Sequence, residues 1–164
     1  MRDRDALFTE YFAARSGAMR STAFLLCGDW HRAEDLVQVA FTKLYLHWNR
    51  VTRHEALDPY VRQMLIRTYI DDGRRARWRR EGTGEAAADR AAEPAPIDDR
   101  LVLVQALAGV PARQRAVLVL RYWEDLSVSE TAAALKCSPG TVKSQAARGL
   151  ATLRNLMNQP VPAE

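Results

Sequence analysis

A chain of 164 residues is one ordinary domain or two small ones, and with 48% of its residues hydrophobic it can bury a core in either case. Cys27 and Cys137 stand far apart with no CxxC or histidine-rich companion, which argues against a disulfide framework and a zinc site. With no run of 18 apolar residues and a charged first stretch in place of a secretory core, a cytoplasmic chain without membrane insertion is expected. The formal net charge of +4 is unevenly spread: residues 1–80 are basic, residues 81–100 acidic and residues 101–164 basic again, which suits a polyanionic partner held by two blocks and not by their connector.

In chain order, Phe8, Phe12, Met19, Ala23 and Leu26 recur at helical spacing, and Gly28 with Asp29 supplies a helix end followed by a fresh cap. From Ala33 the apolar residues Ala33, Leu36, Val37, Ala40, Phe41, Leu44 and Trp48 form one stripe of a second helix. Its opposite side carries Asp35, Gln38, Val39, Thr42 and Leu46. Two apolar residues flanked by a carboxylate, an amide and a hydroxyl form a pattern suited to docking a partner, although scattered apolar residues also occur on ordinary surfaces.

After the loop "HWNRVTRHEALDP" a third helix is predicted to begin near Pro59, with Val61, Met64, Leu65 and Thr68 turned inward. Its second half packs Arg74, Arg75, Arg77, Arg79 and Arg80 around Trp78, a density of guanidinium groups that exceeds what a helix C-terminus needs and suits a nucleic-acid backbone. The following stretch, residues 81–99, is acidic, punctuated by Gly and Pro and nearly free of large apolar residues. It reads as a flexible linker.

Two further helices, parted at Gly109 to Pro111, are predicted to underlie a C-terminal motif. There Ser127 and Glu130 form an S-x-x-E capping box opening a short helix in which Ala132, Ala133 and Leu135 are suited to close packing. Ser138 caps a second helix with Pro139 at its first position, running to about Leu156 with Val142, Leu150, Leu153 and Leu156 toward the core. Two helices joined by so short a turn are a helix-turn-helix, whose second helix enters the major groove. Thr141, Lys143, Ser144, Gln145 and Arg148 are its candidate DNA contacts. Catalysis finds little support. His31, His47 and His54 lack metal-ligand spacing, and the adjacent pairs Glu34–Asp35 and Asp71–Asp72 point to different sides of their helices.

With these pieces in order the chain resembles the extracytoplasmic-function (group IV) bacterial RNA polymerase sigma factors, most closely the SigE-like subfamily of actinobacteria. "RAEDLVQVAFTKLYLHW" is similar to the domain-2 helix that grips the polymerase clamp, with Asp35 and Gln38 at the acid and amide positions. "YVRQMLIRTYIDDGRR" resembles the helix that melts and reads the minus-ten element, and "VPARQRAVLVLRYWEDLSVSETAAALKCSPGTVKSQAARGLATLR" resembles domain 4. Three positions depart from the common pattern: Tyr60 stands where many members have Trp, Arg67 where many have Asn, and Gln145 where much of the wider group has Arg.

The resemblance implies an all-α fold of two small helical domains, residues 1–80 and 100–160, joined by the linker 81–99. It implies an initiation factor and not an enzyme, with no cofactor and no metal. Asp35, Gln38, Val39, Thr42 and Leu46 would bind polymerase core at the beta-prime clamp coiled coil. The minus-ten element would meet Tyr60, Arg67, Asp71, Arg74, Arg75, Arg77, Trp78, Arg79 and Arg80, with a flipped base received in the loop of residues 49–58. The minus-thirty-five element would meet Ser138, Thr141, Lys143, Ser144, Gln145 and Arg148. The beta flap, promoter DNA and an anti-sigma factor are the further partners expected. The alternatives are a sigma-like protein that sequesters an anti-sigma factor, and a stand-alone helix-turn-helix regulator.

Overall fold

The computed structural model describes residues 3–50, 57–83 and 99–158, and among them every regular element is helical. Seven α-helices follow in order: α1 (Arg4–Cys27), α2 (Trp30–Leu46), α3 (Leu57–Thr83), α4 (Asp99–Ala108), α5 (Ala112–Leu118), α6 (Val128–Leu135) and α7 (Pro139–Met157), with a π-helical turn, Val119–Trp123, continuing α5. The predicted linker lies, except at its ends, outside the described residues.

Helices α1 to α3 form the N-terminal unit. The Asp3 side chain accepts from the Asp5 amide at the start of α1, and Gly28, at φ 73°, turns the chain out of it. That left-handed conformation is open to glycine without steric cost, and the amide of Gly28 satisfies the Phe24 carbonyl. Asp29 then caps α2 by accepting from the amides of His31 and Arg32. The predicted α2 stripe is buried as far as Leu44, and it packs with Met19, Leu26, Val61 and Leu65 in the core. Phe12 departs from expectation. Its ring meets Phe41 edge-on at 4.9 Å yet remains 37% exposed, because it stands at the rim of the aromatic cluster. Tyr11 and Arg15 of α1 both donate to Asp58 at the start of α3; burial and the Asp58 carboxylate raise the Tyr11 hydroxyl pKa well above its usual range.

Helices α4 to α7 form the C-terminal unit. Gly149 of α7 faces α5 so closely that a Cβ there would stand 3.1 Å from Leu118 Cδ1 and 3.3 Å from Gln114 Cβ. The turn between α6 and α7 passes through Lys136, a left-handed non-glycine residue at φ 54°. Ala132 is buried as predicted, but Ala133 is exposed, at a gap that it lines with Pro59 and Arg62 of α3. Cys27 and Cys137 are half-buried free thiols.

The capping box is formed in both directions: Ser127 Oγ accepts from the Glu130 amide and Glu130 Oε1 from the Ser127 amide, each at 3.0 Å. The backbone bond from Ser127 and then its side chain hold the Glu130 carboxyl below its ordinary pKa. A depressed carboxyl contributes stability that is full above the ordinary glutamate pKa and is lost as the pH falls on through the lowered one. Ser127→Ala, which removes the N-cap acceptor of the Glu130 amide, is expected to cost about 1 kcal/mol. The melting difference between wild type and Glu130→Ala should shrink on acidification, as scans between pH 7 and pH 3 would record.

The two units pack on one another. Val104 and Leu107 of α4 share the core with Leu25 and Leu26 of α1, and Val104 sits over Gly28. Helix α3 runs against α5 and α6. The sequence gives two domains; the fold closes them on a common hydrophobic cluster.

Candidate functional site

Three surfaces carry the residues singled out from sequence. On α2 the stripe that enters the core forces the opposite side outward, and Asp35, Gln38, Val39, Thr42 and Leu46 are all exposed together. Leu46 is 68% exposed and Val39 39%. Beside them a groove of about 440 Å³ runs between α1 and α2, lined by Phe8, Phe12, Gln38, Phe41, Thr42 and Tyr45. Sequence reasoning missed Phe12 and Tyr45 as part of this face. An apolar-rich surface of this kind, rimmed by a carboxylate and an amide, fits another protein better than it fits DNA.

On α3, Tyr60 and Arg67 are half-buried and Asp71 is exposed. Arg74, Arg75, Arg77, Trp78, Arg79 and Arg80 lie on the last turns of the helix, and their side chains lie outside the described residues, as does the loop over residues 51–56. Asp58, at the end of that loop, is held by Tyr11 and Arg15. Its carboxylate therefore ties the start of α3 to α1. Arg67 and Asp71 border a gap of about 440 Å³ whose far wall is Arg113, Leu135 and Lys136 of the C-terminal unit.

On α7 the Ser138 hydroxyl accepts from the Thr141 amide at 3.1 Å and pairs with the Thr141 hydroxyl at 2.9 Å, so the local role of both is to start the helix. Lys143, Ser144 and Arg148 are exposed on α7, whose N-terminus favours phosphate. Gln145 was expected largely outside. It is half-buried, at a cavity of about 280 Å³ lined by Pro111, Ala112, Arg113 and Gln114 at the start of α5 and by Ile70 and Gly73 of α3.

A further surface was not anticipated. An almost wholly apolar groove of about 210 Å³ opens between Leu103, Leu107, Leu118, Leu150 and Leu153, closed at one end by Leu25 of α1. Tyr122 and Trp123, 58% and 46% exposed, stand at it. The signal was present in "LRYWED", where two large aromatics stand between an arginine and two carboxylates. Among the described residues no group of histidine, cysteine and carboxylate side chains could hold a metal ion, and no helix is long and apolar enough to cross a membrane.

Comparison with known proteins supplies the frame for these surfaces. Residues 12–79 match the family model "Sigma-70 region 2" and residues 100–153 match "Sigma-70, region 4". The chain is 37% identical over 154 residues to the RNA polymerase sigma-E factor of Streptomyces coelicolor, covering 90% of this chain and 84% of that one. It is 29% identical over 159 residues to the ECF RNA polymerase sigma factor SigL of Mycobacterium tuberculosis, covering 91% and 88%. In fold it is similar to the sigma factor RpoE of Bartonella quintana, solved in complex with the anti-sigma factor NepR. The TM-score is 0.73 at 23% identity, covering 94% of this chain and 98% of that one.

Proposed function

The chain belongs to the extracytoplasmic-function group of RNA polymerase sigma factors, which direct the polymerase to promoters, and from that premise we propose how its surfaces divide the work. The exposed α2 face, Asp35, Gln38, Val39, Thr42 and Leu46, seats the clamp coiled coil of polymerase core. The observation that carries this reading is Leu46: a large apolar side chain 68% exposed on the side of α2 opposite its buried stripe. The apolar groove at Tyr122 and Trp123 seats an apolar helix of the beta flap. The basic end of α3, with Tyr60, Arg67, Asp71, Arg74, Arg75, Arg77, Trp78, Arg79 and Arg80, holds the opened minus-ten strand, since guanidinium groups suit phosphates and an indole suits base stacking. Helix α7 reads the minus-thirty-five duplex through Thr141, Lys143, Ser144, Gln145 and Arg148, with Ser138 fixing its start.

An inhibitor of the anti-sigma class, such as RpoE binds in the Bartonella complex, is proposed as the remaining partner. The decisive experiment is co-elution of the purified chain with RNA polymerase core at moderate salt, followed by transcription from genomic fragments. A folded, inhibitor-free chain that neither co-elutes nor supports initiation would refute the assignment. A second expectation concerns α7. Lys143→Ala and Arg148→Ala should each lower the slope of log affinity against log salt for duplex DNA by about one, the signature of a lost phosphate contact. Slopes equal to wild type would remove those two residues from the DNA surface.

A further inference from the structure

We propose that the cleft between α3 and the helices of the C-terminal unit is a nucleotide site, which takes the phosphates of a nucleoside diphosphate at one end and its base at the other. Two adjoining cavities make up the cleft, and they share Ile70 and Arg113. The larger, about 440 Å³, is lined by Arg67 and Asp71 of α3, Arg113 of α5, and Leu135 and Lys136 at the end of α6. The smaller, about 280 Å³, adds Gln114 of α5 and Gln145 of α7. Volumes of this order are those of small-molecule sites. Three cations against one carboxylate leave the larger end with an excess of positive charge. Among the described residues no hydrogen bond or ion pair satisfies the side chains of Arg67, Arg113 or Lys136. Arg67 shows the need most plainly: its Nε is sealed from water and has no partner. A buried donor left in that condition costs free energy until an acceptor meets it, and the planar fork of a guanidinium group fits phosphate oxygens.

The smaller end suits a base and not a second phosphate. Gln114 is half-buried, and its Oε1 is a sealed acceptor without a partner. An exocyclic amine of adenine, guanine or cytosine satisfies it, whereas an ionised phosphate, which carries only acceptors, cannot. Gln145, half-buried at the same cavity, offers a second amide with both donors and an acceptor, and Ile70 supplies apolar surface where the two ends meet. Asp71 borders the phosphate end. A carboxylate there repels a bare phosphate but accepts from ribose hydroxyls, as acidic residues do in dinucleotide sites. Arg67 and Gln145 are two of the three positions at which the chain departs from the common sigma pattern, and both line this cleft. Both also belong to the proposed DNA surfaces, so a bound nucleotide and promoter DNA draw on the same side chains. That competition rests on the sigma reading, whereas nucleotide binding itself does not.

Isothermal titration calorimetry of the full chain at about 0.15 M salt tests the site, with ADP, GDP and inorganic pyrophosphate as titrants. ADP or GDP should bind one to one with a Kd of about 10–100 µM, and pyrophosphate at least about tenfold more weakly. Arg67→Asn and Lys136→Asn each remove a phosphate partner, the second at an exposed position whose left-handed backbone asparagine tolerates, and each should weaken the nucleotide about tenfold. Gln114→Leu keeps much of the bulk and removes the amide. It should weaken the nucleotide about tenfold and leave pyrophosphate within about twofold of wild type. Arg20→Ala deletes a cation of α1 that pairs with Glu34 and should change neither. Circular dichroism checks the fold of each variant. A wild type that binds neither nucleotide below about 1 mM, cleft variants that bind as wild type does, or pyrophosphate as tight as ADP and GDP would each overturn the proposal. Binding of a single-stranded DNA of about ten nucleotides, with neither free nucleotide bound, would overturn it as well and make the cleft part of the DNA surface. Failure of wild type to co-elute with polymerase core would count against the sigma reading and leave the nucleotide result standing.

Discussion

A Leu46→Arg chain is expected to lose at least about 100-fold in affinity for RNA polymerase core while folding as wild type does. The two halves of that expectation come from the same side chain. Leu46 is 68% exposed at the last turn of α2, so arginine there meets water in the free chain, where surface substitutions stay within about 0.5 kcal/mol. In the proposed complex the position sits among Asp35, Gln38, Val39 and Thr42, and substitution both deletes an apolar anchor and strands a guanidinium group in a desolvated interface. Interface anchors of this kind cost about 2–4 kcal/mol when removed, and about 2.7 kcal/mol is already a factor of 100. Asp35→Ala/Gln38→Ala removes polar rim groups and should weaken binding by a smaller factor, about tenfold or more. Titration of labelled core polymerase, with circular dichroism as the folding control, measures both. Wild-type affinity in Leu46→Arg would show that the clamp sits elsewhere. Phe41→Arg offers the contrast: the same charge at a 2% exposed position of the same helix should destroy the fold before it can report on binding.

The α2 result illustrates why that helix was legible in sequence. Its inner and outer faces are set by the 3.6-residue period alone, and Asp29, Gly28 and the Ser127–Glu130 box mark their helix ends by local chemistry that needs no tertiary context. The helix-turn-helix was legible for the same reason. What sequence concealed is long-range. Thr22, Arg62 and Glu124 lie on three separate elements and meet only when the two units dock, and none of the three has a local signature that singles it out. The π turn is equally silent, since it inserts one residue into a helical run without changing its composition. Gln145 was expected outside because periodicity knows only its own helix, and the cavity it borders is built by the start of α5 together with α3. Phe12 shares the helical spacing of Phe8 and Met19 but stands at the rim of the aromatic cluster, where spacing alone does not tell rim from core.

Arg115 was read only as part of a helix, and it carries the second large expectation: Arg115→Ala should lower stability by about 2–4 kcal/mol. Its half-buried guanidinium donates from Nη1 to the Leu26 carbonyl at 2.6 Å, and from Nη2 to the carbonyls of Ala108 at 3.0 Å and Val110 at 2.7 Å. Leu26 lies in the last turn of α1 and Ala108 ends α4, so one cation serves the electronegative ends of two helices. Charge-assisted bonds are worth about 1.5–3 kcal/mol each, but the released carbonyls regain some water, which keeps the loss below the sum. For a chain of this size the midpoint of thermal unfolding should fall by roughly 5–12 °C. Lysine will not substitute. A single ammonium lacks the planar fork that reaches carbonyls on two helix ends and the turn after α4, so Arg115→Lys should recover less than half of the loss. Arg115→Met keeps most of the aliphatic stem and removes the donors; a midpoint near that of Arg115→Ala would assign the effect to hydrogen bonding. Arg115→Ala melting within about 1 °C of wild type would mean that the two helix ends hold without it.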